Sequence, residues 1–360
     1  MGLMSDRLHY GSGGPIVPAE AVQAFAASTF LAVGVPNNDA DFIATTLVHA
    51  DLRGVHSHGL RMINVYIEWL ENGVANPDPH IRSERDSSGA VVLAGDRSLG
   101  QIGARAGMES AIAIARDRGI GVAAVSNTGH FGAGAYWALQ AAHEGLIGFA
   151  TSNMAGACML AHGSREPAIG NTPLAWAFPT HGQYPVVLDM AAGAYALNKL
   201  HLIAQQAEEL PEGVAADIDG NPTTDPSKLR YVLPAGGAKG YGIALTHDLI
   251  SGCLSGDGST LIKGSLDGAT SGARGSLFFM AIDVDAFMPL SDFQTAMDNQ
   301  TEAVNALQPA DGFECVQMPG QPEWVTYESR IDRGIPYPSG ILEQLEPIAD
   351  RHAITIPWKP

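Results

Sequence analysis

The 360-residue chain reads as an α/β (α+β) protein: a strand-and-helix body flanked by helices from both ends of the chain. Three observations predict this. Apolar residues recur at three-to-four spacing through the first eighty residues and again over 290–307, the period of a helix packed on one side. Between these regions, short apolar runs alternate with helical patterns and are bounded by Gly, Pro and Asn. From 119 to 198 only Glu144, Arg165, Glu166 and Asp189 are charged, four in eighty residues, so the elements there are expected to be buried on several sides.

In order, Val22, Phe25, Ala26, Phe30 and Leu31 define a helix after Pro18 that ends near Gly34 and Pro36. A second helix starts at Asn38, a favoured N-cap type, carries Ala40, Ile43, Ala44, Leu47 and Val48, and stops at Gly54. The spacing of Leu60, Ile63, Ile67 and Leu70 predicts a third helix over 57–73. Strands are expected at 90–93, 121–125, 146–150, 186–188 and 277–282, with helices at 101–118 and 134–143. A further helix is expected over 239–254, entered through Gly236 and Gly237. The segment 211–233 reads as a long surface loop, and the chain beyond 307 as an irregular tail with several prolines. This divides the chain into a helical domain, 1–78 joined by 287–360, and an α/β domain, 79–286.

Composition excludes several classes. Twenty Lys and Arg against 38 Asp and Glu leave a net charge of −18, the wrong sign for nucleic acid or an anionic membrane. With 46% apolar and 16% charged residues the chain is not disordered. No run approaches the roughly 20 continuous apolar residues of a membrane span. Three widely separated cysteines, Cys158, Cys253 and Cys315, make neither a disulfide framework nor a metal pair. Residues 1–14 are polar and lack the apolar stretch of a signal peptide, so the cytoplasm is the expected location.

Common cofactor and catalytic signatures are missing. There is no Gly-x-Gly-x-x-Gly, no HExxH and no Gly-x-Ser-x-Gly, and the Gly236-to-Gly240 turn lacks the Lys-Ser/Thr end of a phosphate loop. Four features remain. His56-Ser57-His58 lies between two amphipathic helices, where an imidazole near a helix start, oriented by a hydroxyl, suits general acid–base work. Ser57 as a plain N-cap, with His58 on the surface, explains the same spacing and is favoured by it. Gly129-His130-Phe131-Gly132-Ala133-Gly134 follows a buried-looking strand and opens a helix, an anion-binding geometry or simply a tight turn. Asp189, alone at the end of a buried strand, needs either a partner or a helix to cap. Lys239 either reaches a phosphate or is merely solvated. A metal-dependent hydrolase or lyase using His56, His58 and Asp189 is one rival reading, and a non-catalytic binding protein is another.

Together the motifs resemble the malate/L-lactate dehydrogenase family of non-Rossmann oxidoreductases, which includes sulfolactate, ureidoglycolate and 2,3-diketogulonate enzymes and the Δ1-piperideine-2-carboxylate reductases. The matching stretches are Asp51-Leu52-Arg53-Gly54, Ser57-His58-Gly59 with Tyr66, and Ser126 through Gly134. They continue with Ile169 through Ala175, Val187 through Ala191, Asp217 to Pro226, Pro234 to Gly242, Leu254-Ser255-Gly256 and Pro319-Gly320, in family order along nearly the whole chain.

The resemblance implies a largely antiparallel sheet with covering helices, a non-Rossmann cofactor domain and a homodimer with helices from both chain ends in its interface. It implies hydride transfer between NAD or NADP and a small 2-hydroxy acid, 2-oxo acid or cyclic imino acid; the shortage of basic residues leans to NAD. By it, His58 is the proton donor with Ser57 and Asp189 as a polar relay, and His130 is the competing acid–base residue. Arg61 and Tyr66 would hold the substrate carboxylate with help from Thr172. Phe131, Gly132, Ala133, Gly134, Leu188, Met190, Lys239 and Gly240 would contact the cofactor, and no metal is implied. Two departures touch the substrate region: Met62 stands where many members carry the arginine, with Arg61 one residue earlier, and Asn171-Thr172 reverses the common Thr-Asn order.

Overall fold

A computed structural model describes residues 14–205, 208–264 and 272–359, so the expectation for the N-terminal segment lies almost wholly outside the described residues. The chain enters through β1 (Ile16–Val17), α1 (Ala19–Ala32) and α2 (Asn37–Leu52), then two 3-10 turns, His56–His58 and Leu60–Met62, and α3 (Ile63–Glu71). Next come β2 (Arg82–Asp86), β3 (Ala90–Ser98), α4 (Gly100–Arg118), β4 (Ile120–Thr128), α5 (Gly134–His143) and β5 (Leu146–Met154). They are followed by β6 (Met159–Leu160), β7 (Pro167–Ile169), β8 (Pro173–Phe178), β9 (Val186–Ala191), α6 (Leu197–Gln205), β10 (Ala215–Ala216) and β11 (Tyr231–Val232). After α7 (Ala238–Asp248) a π-turn spans Leu249–Cys253, and α8 (Thr260–Lys263) and β12 (Gly275–Asp283) follow. The last elements are α9 (Leu290–Asn305), α10 (Gln321–Arg333), β13 (Ile335–Pro336), α11 (Ser339–Glu343) and α12 (Glu346–His352).

The main sheet has seven strands in the order β2-β3-β4-β12-β5-β8-β9, and only the β3–β4 pair is parallel. β12 comes from far along the chain and inserts between β4 and β5, antiparallel to both. Its side chains alternate: Leu277, Phe279 and Ala281 join Met108 of α4 and Trp137 of α5, while Phe278 and Met280 meet Phe149, Trp176 and Ile250 on the other face. Burial on both faces is why the central stretch carries so few charges. A smaller sheet, β10-β11-β6-β7, packs its apolar side chains with those of α6 and α7.

The two chain ends share one core. Phe25, Phe30, Ile43, Leu47, Ile63 and Ile67 pack with Tyr337, Ile341, Leu345 and Ile348, and β1 pairs with β13. Local expectations shift in four places. Helix α2 begins at Asn37 after Pro36, whose φ of −58° sets the entry without a side-chain cap. The helix expected over 57–73 is broken, because the Asp51 side chain takes the Leu60 N–H and regular α-helix resumes only at Ile63. The segment 211–233 holds two-residue strands, too short to leave a period. The tail beyond 307 holds three helices, for Pro322, Pro338 and Pro347 sit at or just before helix starts, where a missing N–H costs nothing.

Candidate active site

The turn bearing His58 is built on a carboxylate with no exposed surface. Asp51, near the end of α2, accepts from His56 Nδ1 at 2.6 Å, Leu60 N at 2.8 Å and the Tyr337 hydroxyl at 2.6 Å. Arg330 donates to the Asp51 carbonyl and, at 3.0 Å, to His56 Nε2. A guanidinium only donates, so Nε2 of His56 accepts and its proton sits on Nδ1, facing Asp51. A side chain on Gly59 would fall on that carboxylate, so the backbone there can pass only as glycine. His56 is therefore a buried structural residue, and His58 is left half-buried beside it with Nδ1 2.9 Å from Ser57 Oγ.

The second imidazole is set by the end of β4. Gly129 N donates to Ser98 O at 2.9 Å and His130 N to Gly272 O at 2.8 Å, and the start of α4 lies so close that a Cβ on Gly100 would strike the Gly129–His130 backbone. His130 Nδ1 lies 2.7 Å from the Tyr66 hydroxyl and 3.3 Å from Gly132 N. A backbone N–H only donates, so Nδ1 is an acceptor, Tyr66 is its second donor, and the ring proton resides on Nε2. The rings of His58 and His130 stack with centroids 5.4 Å apart and planes 25° from parallel.

Electrostatics keep both rings neutral near pH 7. His58 is lowered to about 4 by desolvation and then by the Arg61 charge, and not by a helix dipole, since it lies in a 3-10 turn. His130 falls to about 3 through desolvation, with His58 adding to it. His201 of α6 is lowered by desolvation and then by the Arg61 charge. Tyr66 has no exposed surface, and its hydroxyl is engaged by His130.

Asp189 sits elsewhere than a His58 relay requires. Its carboxylate accepts from Ala135 N at 2.8 Å in the first turn of α5, and it has no hydrogen bond to Ser57 or His58. Asp189 is nonetheless exposed at the end of β9; desolvation pushes its carboxyl up, partly offset by the Ala135 N–H and Arg53. The α5 N-terminus, which reads from sequence as an anion site, thus already has a protein carboxylate on one of its amides. His56, His58 and Asp189 do not converge, which removes the geometry a metal hydrolase would use. Among the described residues no group of three His, Cys, Asp or Glu is arranged to hold a metal ion.

The other expected residues divide into support and surface. Phe131 is buried in the core under Trp137, whose indole N–H donates to the Phe131 carbonyl at 3.0 Å. Gly132 takes φ +82°, and Ala133 and Gly134 lead into α5. Thr172 is buried with its hydroxyl on Gly170 O at 3.3 Å. Leu188 is half-buried opposite Trp176, and Met190 is exposed beside Asp189. Lys239 is exposed in the first turn of α7, and Gly240 packs against the Ala235 backbone. An exposed thioether and a cation at a helix start fit the ring and phosphate ends of a nicotinamide cofactor. Sequence reasoning missed Arg330, Tyr337 and Gln101, the last fully buried and with both amide atoms unpartnered.

The seven-stranded sheet is mostly antiparallel and lies outside the Rossmann plan, with the His58 and His130 rings stacked beyond the end of β4. Residues 17–346 match the family described as malate/L-lactate dehydrogenase. Malate dehydrogenase from Pyrococcus horikoshii is 34% identical over 93% of this chain and 95% of its own sequence. Its solved structure superposes with a TM-score of 0.87 over 96% of this chain and 97% of that one, at 32% identity. L-sulfolactate dehydrogenase from Methanocaldococcus jannaschii is 35% identical over 90% of this chain and 93% of its own. Ureidoglycolate dehydrogenase (NAD(+)) from Escherichia coli is 32% identical over 87% and 89%. The chain belongs to the malate/L-lactate dehydrogenase family, nicotinamide-dependent oxidoreductases of small carboxylic acids.

Proposed function

We propose that this protein interconverts a small 2-hydroxy acid of malate or lactate type and its 2-oxo acid, with His58 moving the proton and His130 donating a fixed hydrogen bond to the same oxygen. The observation that carries this is the difference between two stacked rings. His130 Nδ1 is held by two donors, so Nε2–H is its only hydrogen-bonding face. His58 Nδ1 meets only the Ser57 hydroxyl, which rotates to suit either tautomer, so this ring exchanges a proton freely. When bound, the nicotinamide accepts or supplies the hydride. In oxidation, neutral His58 takes the hydroxyl proton as C2 loses its hydride; in reduction it returns that proton to the carbonyl oxygen. Desolvation lowers His58 most; a substrate carboxylate on Arg61 offsets the second cause, the Arg61 charge, and so raises the ring's affinity for the proton when it is needed. A cyclic imino acid with the same carboxylate would be reduced by the same groups.

NAD is preferred over NADP, a reading supported by the shortage of cations in a chain of net charge −18. Two copies associate through helices from both chain ends, a reading supported by exposed apolar side chains there, Leu31 of α1 and Val325 and Ile331 of α10; sedimentation at micromolar concentration tests this. The division into 1–78 with 287–360 and 79–286 is supported by the core shared between the chain ends. Three unpaired cysteines support a reducing, cytoplasmic setting. A panel of 2-hydroxy acids, 2-oxo acids and cyclic imines assayed with both cofactors tests the reaction. For the roles, His58→Ala is expected to lower kcat by about 10²–10⁴-fold. Near-normal turnover in that variant, with loss in His130→Ala, would exchange the two assignments.

A further inference from the structure

Beside the start of β12 the fold buries a cluster of charges, none of it among the residues assigned to the reaction. Lys263, the last residue of α8, is buried, and its ammonium donates to Asn153 Oδ1 at 2.6 Å, Ser276 Oγ at 2.8 Å and Asp257 Oδ2 at 3.1 Å. Three acceptors use every N–H that an ammonium has. Ser276 donates its own hydroxyl to the same Asp257 oxygen at 2.9 Å. Asn153 turns its amide nitrogen the other way, to Asp248 Oδ1 at 3.1 Å, and Asp248, with no exposed surface, also accepts from the Thr260 amide and hydroxyl. An ammonium only donates and a carboxylate only accepts, so the Asn153 side chain is held in one orientation. Burial lowers the Lys263 ammonium, and the Asp257 charge opposes that loss. Stability alone does not explain such a cluster, because well-packed apolar side chains of similar volume often serve as well or better.

Its place in the sheet does. Asn153 and Ser276 stand directly opposite each other in the β5–β12 ladder, and the next rung is Gly275, with Met154 on one side and Thr128 on the other. Past that rung the ladder ends but the chain stays tied: Ala155 N donates to Arg274 O at 2.7 Å and His130 N to Gly272 O at 2.8 Å. Lys263 thus closes the end of the ladder just before the carbonyl that holds the His130 backbone. We propose that Lys263 is a positioning residue for His130: by pinning Asn153 to Ser276 and Asp257 it fixes the start of β12, and with it the Gly272 carbonyl that sets where the imidazole stands. This rests on the reading that His130 donates to the substrate oxygen, and the test separates the two.

The experiment compares wild type, Lys263→Met and the double variant Lys263→Met/Asp257→Asn by urea unfolding, steady-state kinetics and hydrogen exchange. Exchange is resolved at single amides by fragmentation mass spectrometry, on protein loaded with NAD and a 2-oxo acid, which cannot react together. Lys263→Met is expected to speed exchange at the His130 amide about tenfold, as for one hydrogen bond, with Ala123 in the middle of β4 unchanged. Alongside, kcat should fall about tenfold with KM within about twofold. The double variant leaves no lone buried charge, so its unfolding midpoint should return toward wild type while kcat and His130 exchange do not. Recovery of kcat together with stability in the double variant would overturn the proposal, making the ion pair a matter of charge balance alone. Unchanged exchange at His130, or faster exchange spread evenly over β4, would also overturn it. Should Lys263→Met alone fail to fold, the double variant decides by the same readouts. Full turnover in His130→Asn would defeat the donor role of His130, while exchange at its amide would still decide what Lys263 does.

Discussion

The two histidines of the cleft share a stack and a neutral charge state, yet they are held by opposite means. His58 belongs to a turn anchored from beneath: Asp51, His56, Arg330 and Tyr337 lock the backbone, and the ring's hydrogen bond is only to the adjacent Ser57. His130 has a ring locked directly, by Tyr66 from another helix and by its own Gly132 amide. Locking the backbone but not the ring suits a group that must change protonation state every turnover. Locking the ring suits a group whose task is to donate one hydrogen bond at a set place, where preorganisation contributes most.

The sharpest way to break this contrast is to remove the anchor. Asp51→Ala leaves a buried imidazole, a phenol and a backbone amide without their acceptor and is expected to cost about 3–5 kcal/mol of stability. Urea unfolding would read that loss, and kcat should fall with it because the His58 turn loosens; a variant as stable as wild type would show the network to be incidental. A smaller effect is expected on the other side. Tyr66→Phe removes one donor to His130, so kcat should fall about tenfold with stability changed by no more than about 1.5 kcal/mol. A rise in KM instead would return Tyr66 to carboxylate binding.

The mildest test uses pH. His58 and His130 titrate at about 4 and about 3 in the folded protein, below the 6.5 of an unfolded histidine. Between those values the unfolded chain binds the extra protons, so their neutrality contributes stability that is present above pH about 6.5 and is lost as pH falls through the folded values. Urea midpoints measured from pH 7 to 5 should therefore decline less in His58→Gln and His130→Gln than in wild type. Identical slopes would mean that neither ring is desolvated.

Much of the site was legible in the chain because it is local. Ser57 beside His58, and His130 between glycines after a strand, are contiguous, and the periodic helices α1, α4 and α5 follow from patterns within a dozen residues. Asp51 stood in a matching motif, but nothing local says that its carboxylate receives a hydroxyl from Tyr337, 286 residues away. Asp189 looked like a partner for histidine because a lone buried carboxylate must have one; spacing could not reveal that Ala135 N–H meets it. Gln101 left no signal at all, since a glutamine in a helix is ordinary until its surroundings turn out to be dry.

By itself the sequence determined what short-range sterics and patterning can decide: helix faces, the Gly-rich turn, the charge-poor strands and the kind of chemistry two histidines support. Tertiary structure alone decided which polar groups share a low-dielectric space. That choice depends on β12 sliding between β4 and β5 and on the C-terminal segment closing over α2, and burial there turns ordinary imidazoles and a phenol into partners. Hydrogen bonds weak in water become decisive where no water competes, and which residues lose their water is a property of the whole fold.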